Sequence, residues 1–445
     1  MTSINKYQEK FLKPIKKSPD KYYKDYLMAK KKVDNSSAIY KGEVVDFLYQ
    51  ALFFNKKEYK KLKGYNQTLS KILDKVIEEY KEKPSFRKYF NFPKLMEELI
   101  LIDPGYNQNF PIARFDIFYK QNGSSKFCEL NADGSSAMNE VRVLQKVMEE
   151  TKAFKKFTVN KETAGFELFY SWIDEIINNY NQFTGGEEDK PNIAIVDFEG
   201  EGTIYEFKEF KKRFIEKGYK TIICDPRNLE YNDGSLYHNQ FRVDLIYRRA
   251  TTARLVEEAD SIQDFLEAYK NKDVCVVGGL LSELIHNKII FAVLHNEKAV
   301  SFLNNDEKQF IKEHIPFTKI IDFDNMEMVQ EIMDNKNKYI LKPFDKYAGY
   351  GVHVGRDYNH LAWVTILKEI TGQDYIVQEF IDVPQLKMAG IEKGTISIQD
   401  YGFLLGMFLY NQQTKGLYTR VGRENIIGSI VESFTVPNFI ITEEC

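Results

Sequence analysis

The chain has 445 residues, of which 43% are hydrophobic and 29% charged, and its 62 basic and 65 acidic residues give a formal net charge of -3. This length predicts two to four lobes, and the charge balance gives no support to bulk nucleic-acid binding, although it leaves a local basic patch open. No signal peptide opens the sequence and no apolar run approaches the roughly 18 residues of a membrane helix, so we expect a cytoplasmic protein with neither a nucleic-acid nor a membrane partner.

Four cysteines stand at positions 128, 224, 275 and 445 without the spacing of metal ligands. Three of them lie in apolar, strand-like stretches. The composition therefore favours buried free thiols in a reducing compartment over disulfides or zinc.

Residues 1–105 are rich in Lys, Tyr and Glu and show apolar residues at helical spacing, for example between Val44 and Leu52 and between Leu95 and Ile102. We interpret this region as helical and find no chemistry in it.

A βαβ pattern follows Pro191. An apolar strand over 193–198 precedes a helix striped by Ile204, Phe207, Phe210 and Phe214, and a second strand begins at Thr221. Further strand candidates are 243–247, 274–277, 339–341, 375–377 and 403–409. This alternation predicts an α/β protein of several lobes, and residues 184–191 form the clearest candidate linker. Gly200 and Gly202 after the first strand lack a third glycine, so they are weak support for a dinucleotide-binding oxidoreductase.

The chemistry is concentrated in a predicted hairpin. Because strand side chains alternate, Arg114 and Asp116 share one face of the first strand, and Glu129, Asn131 and Asp133 share one face of the second. Asn122-Gly123 between them is a strong hairpin signal. If these two residues form the loop, Asp116 faces Glu129 and Arg114 faces Asn131.

Two carboxylates directly opposite each other destabilise a hairpin. A hard cation between them would explain the arrangement, since Mg²⁺ prefers oxygen ligands and bridges carboxylates to substrate phosphates. The alternative is a solvated polar face on a surface hairpin. The repulsion predicts that an amide at either position leaves the metal-free stability unchanged or raises it by about 0.2–1 kcal/mol.

The two motifs, Arg-x-Asp and Glu-x-Asn-x-Asp, resemble the metal-binding strands of glutathionylspermidine synthase and its circularly permuted ATP-grasp relatives. The resemblance implies that Arg114 stabilises the transferred phosphate and that Asp116, Glu129 and Asn131 bind two Mg²⁺ ions. It also implies a mixed α/β fold, with a permuted ATP-grasp domain, a Rossmann-like preceding lobe and a helical N-terminal region.

A second group of residues points to phosphate binding. Lys342 ends a short strand, and Gly349 and Gly351 follow in a loop where backbone N–H groups could approach phosphate oxygens. The resemblance makes this loop a mobile lid over 344–352 that serves closure rather than packing. It also assigns Lys288, in an Asn-Lys stretch, to the α-phosphate of ATP.

The strand ending in Gln378, Glu379, Phe380 and Ile381 matches the linker at which ATP-grasp enzymes read adenine and hold ribose. Residues 416–425 resemble the closing, Arg-bearing strand of the family. The metal ligands come early in the chain, which agrees with the permuted order.

We therefore expect an ADP-forming carboxylate–amine ligase that uses ATP and Mg²⁺ on small-molecule substrates, with peptides and polyamines possible. The alternatives are a phosphotransferase without amide formation and a non-catalytic ATP- or peptide-binding protein. The predicted division is 1–105 helical, 106–155 the first part of the ATP-grasp domain, 156–285 the preceding lobe and 286–445 the rest. The identity of the substrates and the oligomeric state are left open.

Overall fold

The computed structural model describes residues 2–186, 190–346, 349–428 and 432–444. The helices, in chain order, are α1 Ser3–Lys17, α2 Pro19–Asp34, α3 Lys56–Glu82, α4 Pro84–Arg87, α5 Lys94–Ile100, α6 Met138–Glu149, α7 Lys152–Phe157, α8 Tyr170–Thr184, α9 Ile204–Glu216, α10 Thr252–Glu257, α11 Gln263–Asn271, α12 Glu283–His286, α13 Ile289–Leu294, α14 Asn305–His314, α15 Met326–Asp334 and α16 His360–Glu369.

The strands are β1 Ile39–Tyr40, β2 Glu43–Val44, β3 Leu52–Asn55, β4 Ile112–Tyr119, β5 Ser125–Asn131, β6 Lys161–Ala164, β7 Ile193–Val196, β8 Thr221–Cys224, β9 Glu230–Asn232, β10 Ser235–His238, β11 Phe241–Val243, β12 Leu245–Arg248, β13 Cys275–Val277, β14 Thr318–Ile320, β15 Tyr339–Pro343, β16 His353–Val354, β17 Tyr375–Glu379, β18 Gln385–Glu392, β19 Thr395–Tyr410, β20 Gln413–Gly422, β21 Ser433–Val436 and β22 Asn438–Glu444.

A large antiparallel sheet has the order β21-β20-β19-β4-β5, and β18 pairs with the first half of β19. Its middle strand β19 is 16 residues long. The early hairpin β4–β5 thereby joins the same sheet as strands from the last sixty residues of the chain. Side chains of β4 and β20 face each other across β19.

A small antiparallel sheet of order β14-β17-β15-β16 carries the predicted phosphate and adenine elements. Helices α15 and α16 cover one of its faces, where Leu341, Val377 and Trp363 share a buried cluster. Strand side chains alternate, so Lys342 and Gln378 project from the opposite face.

The βαβ prediction is confirmed. Strands β13-β12-β7-β8 form a parallel sheet, and α9 connects β7 to β8 at the predicted positions. Gly218, two residues after α9, adopts φ +84°, the left-handed conformation in which glycine commonly follows a helix end.

The helical interpretation of the N-terminal region holds for α1–α5 but is wrong between Val44 and Leu52. Strand β2 pairs with β1, and β3 joins β22 and β6 in a three-stranded sheet. Phe47, Leu48 and Tyr49 each enter a different buried cluster. Apolar residues interrupted at Asp46 and Gln50 give helical spacing here, although the chain is extended and buried on several sides.

Cys224 and Cys275 are buried free thiols, as predicted, whereas the free thiol of Cys128 is only partly buried; Cys445 lies outside the described residues. Residues 187–189 of the predicted linker also lie outside them. In the parts of the chain that are described, no helix is both long and apolar enough to cross a bilayer. The four-part division of the chain stays a prediction.

Candidate active site

The β4–β5 hairpin has the predicted register at its functional residues: Asp116 pairs with Glu129 and Arg114 with Asn131. The turn itself differs from the prediction. Tyr119 pairs with Ser125 and Lys120 donates to the Ser124 carbonyl at 2.8 Å, so the loop has three residues and ends at Gly123 with φ +83°. This odd loop shifts the register by one residue, and a β-bulge at Cys128 shifts it back before Glu129.

Asp116 lies between two arginines. Its carboxylate accepts from Arg114 Nε at 2.9 Å and from Arg420 at 2.9 Å, and its side chain is only 1% exposed. The Asn131 amide donates to the same carboxylate at 3.1 Å and to Glu129 at 3.4 Å. Asp116 is therefore compensated by protein cations rather than left against Glu129 alone.

Glu129 is also surrounded by positive charge. The nearest cation is Lys288, whose Nζ is 3.5 Å from the carboxylate. Burial opposes ionisation of Glu129, but Lys288, Arg420, Lys342 and Arg114 together outweigh burial and hold its pKa at about 2. The net field in this site is therefore cationic, which suits a triphosphate.

Arg114 is held on three sides. It donates to the Ser136 carbonyl at 2.9 Å, and its guanidinium carbon lies 5.3 Å from the centroid of the Tyr418 ring. Burial lowers the pKa of Arg114, but the adjacent Asp116 carboxylate reverses the effect and raises it above its usual value. The Tyr418 hydroxyl in turn donates to Glu140 at 2.8 Å. The guanidinium is thus fixed in place and charged.

Asp133 does not join this group. Strand β5 ends at Asn131, and the Asp133 carboxylate forms a buried ion pair with Arg248 at 2.6 Å and accepts from the backbone N–H of Thr252 at 2.6 Å. It ties the loop after β5 to the lobe built on the parallel sheet.

Lys342 reaches the site from the small sheet. Its ammonium donates to the Gln378 side chain at 2.8 Å and to the Cys128 carbonyl at 3.2 Å. Burial lowers the pKa of Lys342, and the nearby Glu129 carboxylate partly restores it. Gln378 also donates to Thr318 Oγ1 at 2.9 Å, so the three side chains form a chain of hydrogen bonds.

Lys288 anchors the base of the glycine-rich loop. Its backbone N–H donates to the Phe344 carbonyl at 2.9 Å, and its ammonium donates to the Lys346 carbonyl at 2.6 Å. Farther along, Gly349 and Gly351 adopt φ +89° and +70°. Tyr347 and Ala348 of the predicted lid lie outside the described residues. A Cβ at Gly351 would lie 2.8 Å from the Tyr375 hydroxyl oxygen and 3.3 Å from Pro343 Cγ, so packing as well as the positive φ disfavours a larger residue there.

The predicted adenine linker leaves β17 next to β14 and β15. Glu379 accepts from the Phe317 N–H at 3.1 Å, and its own N–H donates to the Phe317 carbonyl at 2.7 Å. The Phe380 N–H donates to the Lys338 backbone carbonyl at 2.7 Å. These contacts hold the linker but use both N–H groups within the protein, and Ile381, at 9% exposure, packs inward.

Sequence reasoning found the strand that carries Arg420 but not the role of this arginine at the site. Residues on β4 and β20 meet only because Gly406 stands between them on β19, paired with both Asp116 and Tyr418. A Cβ there would lie 2.7 Å from Asp116 Oδ1 and 2.9 Å from Arg114 Cδ. Glycine inside an apolar strand was the available signal, because it often marks a close approach of other groups.

The donor set fits Mg²⁺ chemically. It offers two carboxylates and an amide oxygen, the kinds of ligand that Mg²⁺ prefers, and 23% of the Glu129 side chain is exposed. Among the described residues no group of three or more His, Cys, Asp or Glu side chains could hold a metal ion by itself.

Comparison with known proteins places the chain in a family. The family described as "Glutathionylspermidine synthase preATP-grasp" matches residues 34–440, and the chain belongs to it. At the level of the family, this match supports an ATP-dependent ligase that forms amide bonds. No curated protein matches the chain.

Among solved structures, a glutathione synthetase-like effector (GSS30) from Globodera pallida in its apo form matches 96% of this chain and 99% of its own, with a TM-score of 0.61 and 11% identity. The match confirms the predicted fold class. D-cycloserine synthetase DcsG (11% identity, 56% of this chain and 91% of its own, TM-score 0.29) and D-alanyl-alanine synthetase A from Vibrio cholerae (9%, 56% and 88%, 0.30) also match in part.

Proposed function

We propose that this protein is an ADP-forming carboxylate–amine ligase that couples its substrates through an acyl phosphate. The observation that carries the proposal is the convergence of Arg114, Arg420, Lys288 and Lys342 on one carboxylate-bearing face. A substrate carboxylate and ATP together bring about five negative charges, and this reaction needs little from the protein beyond positioning and charge neutralisation.

The two sheets divide the task. Arg114 and Arg420 lie on the large sheet, where they can bind the transferred phosphoryl group and the carboxylate that receives it. Lys342 comes from the small sheet and Lys288 from the base of the loop, where they can hold the α- and β-phosphates. Gly349 and Gly351 would let the loop close and exclude water from the reactive anhydride.

Mg²⁺ bound with ATP would supply charge neutralisation between the phosphates and the acidic face. Glu129 and Asn131 would bind the ion, and Asp116 would lie next to them on the side away from the phosphates. In the structure the Asn131 amide donates to both carboxylates, so the amide would rotate to present its oxygen to the ion. A second ion is proposed from the family resemblance alone.

We further propose small-molecule acids and amines as substrates, peptides or polyamines among them, and a cytoplasmic location. Gln378, Glu379, Phe380 and Ile381 are proposed to line the adenine and ribose site. Because the N–H groups of Glu379 and Phe380 are engaged within the protein, we propose that the nucleoside contacts their carbonyls and the Glu379 carboxylate oxygen that does not accept from Phe317.

The test is to measure ADP and phosphate release with Mg²⁺–ATP against a matrix of acids, small peptides, amino acids and polyamines. A ligase releases phosphate only when a matching acid and amine are both present. Once a pair is found, ¹⁸O placed in the acid carboxylate should appear in the released phosphate, because the acyl phosphate transfers one carboxylate oxygen. The Lys342→Ala variant is the control for contaminating ATPases.

Two outcomes would contradict the proposal. A phosphorylated acid that accumulates and does not react with any amine would identify a phosphotransferase. Binding of Mg²⁺–ATP without turnover for any pair in the matrix would favour a non-catalytic binding protein.

A further inference from the structure

One strongly charged surface is not used by the proposed reaction. It consists of the outward faces of α1, α2 and α7, which we name the lysine surface. These helices hold thirteen lysines and four acidic residues, a net charge of +9, so the rest of the chain carries -12 to give -3 overall. The near-neutral total conceals this asymmetry.

The lysine surface is a rigid part of the fold. Phe157 of α7 packs against Tyr7 and Phe11 of α1, with ring centroids 6.2 and 5.8 Å apart. Asp25 of α2 is buried and accepts from Tyr49 at 2.5 Å and from the backbone N–H of Lys152 at 2.7 Å. The three helices are therefore fixed relative to one another, and the lysines they carry are held on neighbouring elements of one rigid unit.

Twelve of the thirteen lysines are exposed, since only Lys30 is partly covered. Within the described part of the chain, two of them have ion-pair partners: Lys30 with Asp34 at 2.7 Å, and Lys32 with Glu150. The matched family region begins at residue 34, so α1 and nearly all of α2 lie outside it. Most of this charge is therefore carried by helices that lie outside the matched family region.

Apolar side chains stand among these lysines. Leu27 is 46% and Met28 61% exposed on α2, one turn from Lys24 and Lys31, and Val159 after α7 is 72% exposed. No arginine or histidine occurs in the three helices. Lysines next to exposed aliphatic residues on a helix suit an anionic bilayer. The methylene chains of the lysines can lie along the lipid headgroups, while the aliphatic side chains enter the boundary with the acyl chains.

We propose that the lysine surface binds anionic phospholipid membranes peripherally, holding the ligase at a bilayer. Each lysine near such a surface strengthens binding about fivefold, and the attraction falls with salt over a Debye length of about 8–10 Å. The interaction is therefore reversible and depends on headgroup charge.

The test is flotation of the full chain with vesicles of phosphatidylcholine alone and of phosphatidylcholine mixed with phosphatidylserine. We expect binding only to the second, weakening as salt rises. Substituting Lys21, Lys24 and Lys31 by Gln should weaken binding roughly 100-fold, the product of three fivefold losses. The matched control substitutes Lys208, Lys212 and Lys270 by Gln, which are exposed, lie outside the lysine surface and remove the same charge.

A second variant separates a bilayer from other polyanions. Leu27→Gln with Met28→Gln removes no charge but should weaken vesicle binding about tenfold, because two apolar contacts are lost. Thermal melts confirm that each variant is folded. No binding to phosphatidylserine vesicles, equal losses in the control triple variant, or a wild-type response of the Leu27/Met28 variant would each overturn the proposal. Tighter binding to short RNA that the Leu27/Met28 change leaves intact would assign the surface to nucleic acid instead.

Discussion

Replacing Glu129 by Gln tests the electrostatics of the site directly. The Glu129 pKa is depressed to about 2 from an ordinary 4.5, so its charge contributes about 3 kcal/mol of folding stability at pH 7. The amide cannot interact with Lys288, Arg420 and Lys342 as an anion does. We therefore expect Glu129→Gln to lower the free energy of unfolding at pH 7 by as much as about 3 kcal/mol.

The stabilisation by Glu129 should depend on pH in a definite direction. Because the folded-state pKa is depressed, the stabilisation is present above the unfolded pKa of 4.5 and is lost as the pH falls toward 2. The difference between wild type and variant should shrink at pH 3 to less than half of its value at pH 7. Urea unfolding at several pH values measures this difference in the free energy of unfolding. The control is Glu230→Gln, at an exposed position on β9. We expect it to change the free energy of unfolding by less than about 0.5 kcal/mol.

This expectation reverses the one drawn from the hairpin alone, in which Asp116 and Glu129 only repel each other. A variant as stable as wild type, or more stable, would show that repulsion dominates and that the surrounding cations do not compensate Glu129. The same variant should also lose most of the stabilisation that Mg²⁺–ATP confers on the wild type. A full Mg²⁺–ATP shift in its melting curve would place the metal site elsewhere.

Three further changes probe neighbouring groups. Asp116→Asn should cost about 3–5 kcal/mol in urea unfolding, because Arg114 and Arg420 lose the buried carboxylate they share; a smaller loss than at Glu129 would contradict this. Lys342→Ala should lower kcat/KM for ATP by the equivalent of about 2–4 kcal/mol, whereas Lys338→Ala, on an exposed neighbour, should not. Gly351→Ala should destabilise more than Gly372→Ala, since both residues have positive φ but only Gly351 faces the Tyr375 hydroxyl; equal losses would mean that the loop relaxes freely.

The sequence was most informative where local patterns decide structure. Alternation placed Arg114, Asp116, Glu129 and Asn131 on one surface, and the βαβ unit followed from apolar periodicity and a helix-ending glycine. It failed between Val44 and Leu52, where burial on several sides produced helical spacing in an extended chain. The lid prediction was incomplete for a related reason, since contact between Gly351 and Tyr375 depends on tertiary packing.

The cationic side of the site was the hardest to foresee. Arg420 is 304 residues from Asp116 in sequence, and the pairing of β4 and β20 with β19 brings the two side chains within hydrogen-bond distance. No local pattern encodes such a contact. Gly406 was visible as a glycine within an apolar run, but its purpose is apparent only when the neighbours on both sides are known.

The bulge at Cys128 shows why a correct register can follow from an incorrect turn. A three-residue loop alone would have paired Asp116 with Cys128, and the extra residue in β5 restores Glu129 to that place. A bulged residue lies outside the regular ladder of hydrogen bonds. The Cys128 carbonyl accepts from Lys342 instead, at 3.2 Å, so the irregularity that corrects the register also connects the large sheet to the small one at the phosphate site. The metal hairpin and the phosphate lysine are therefore positioned by one shared feature, which a regular hairpin with a two-residue turn would lack.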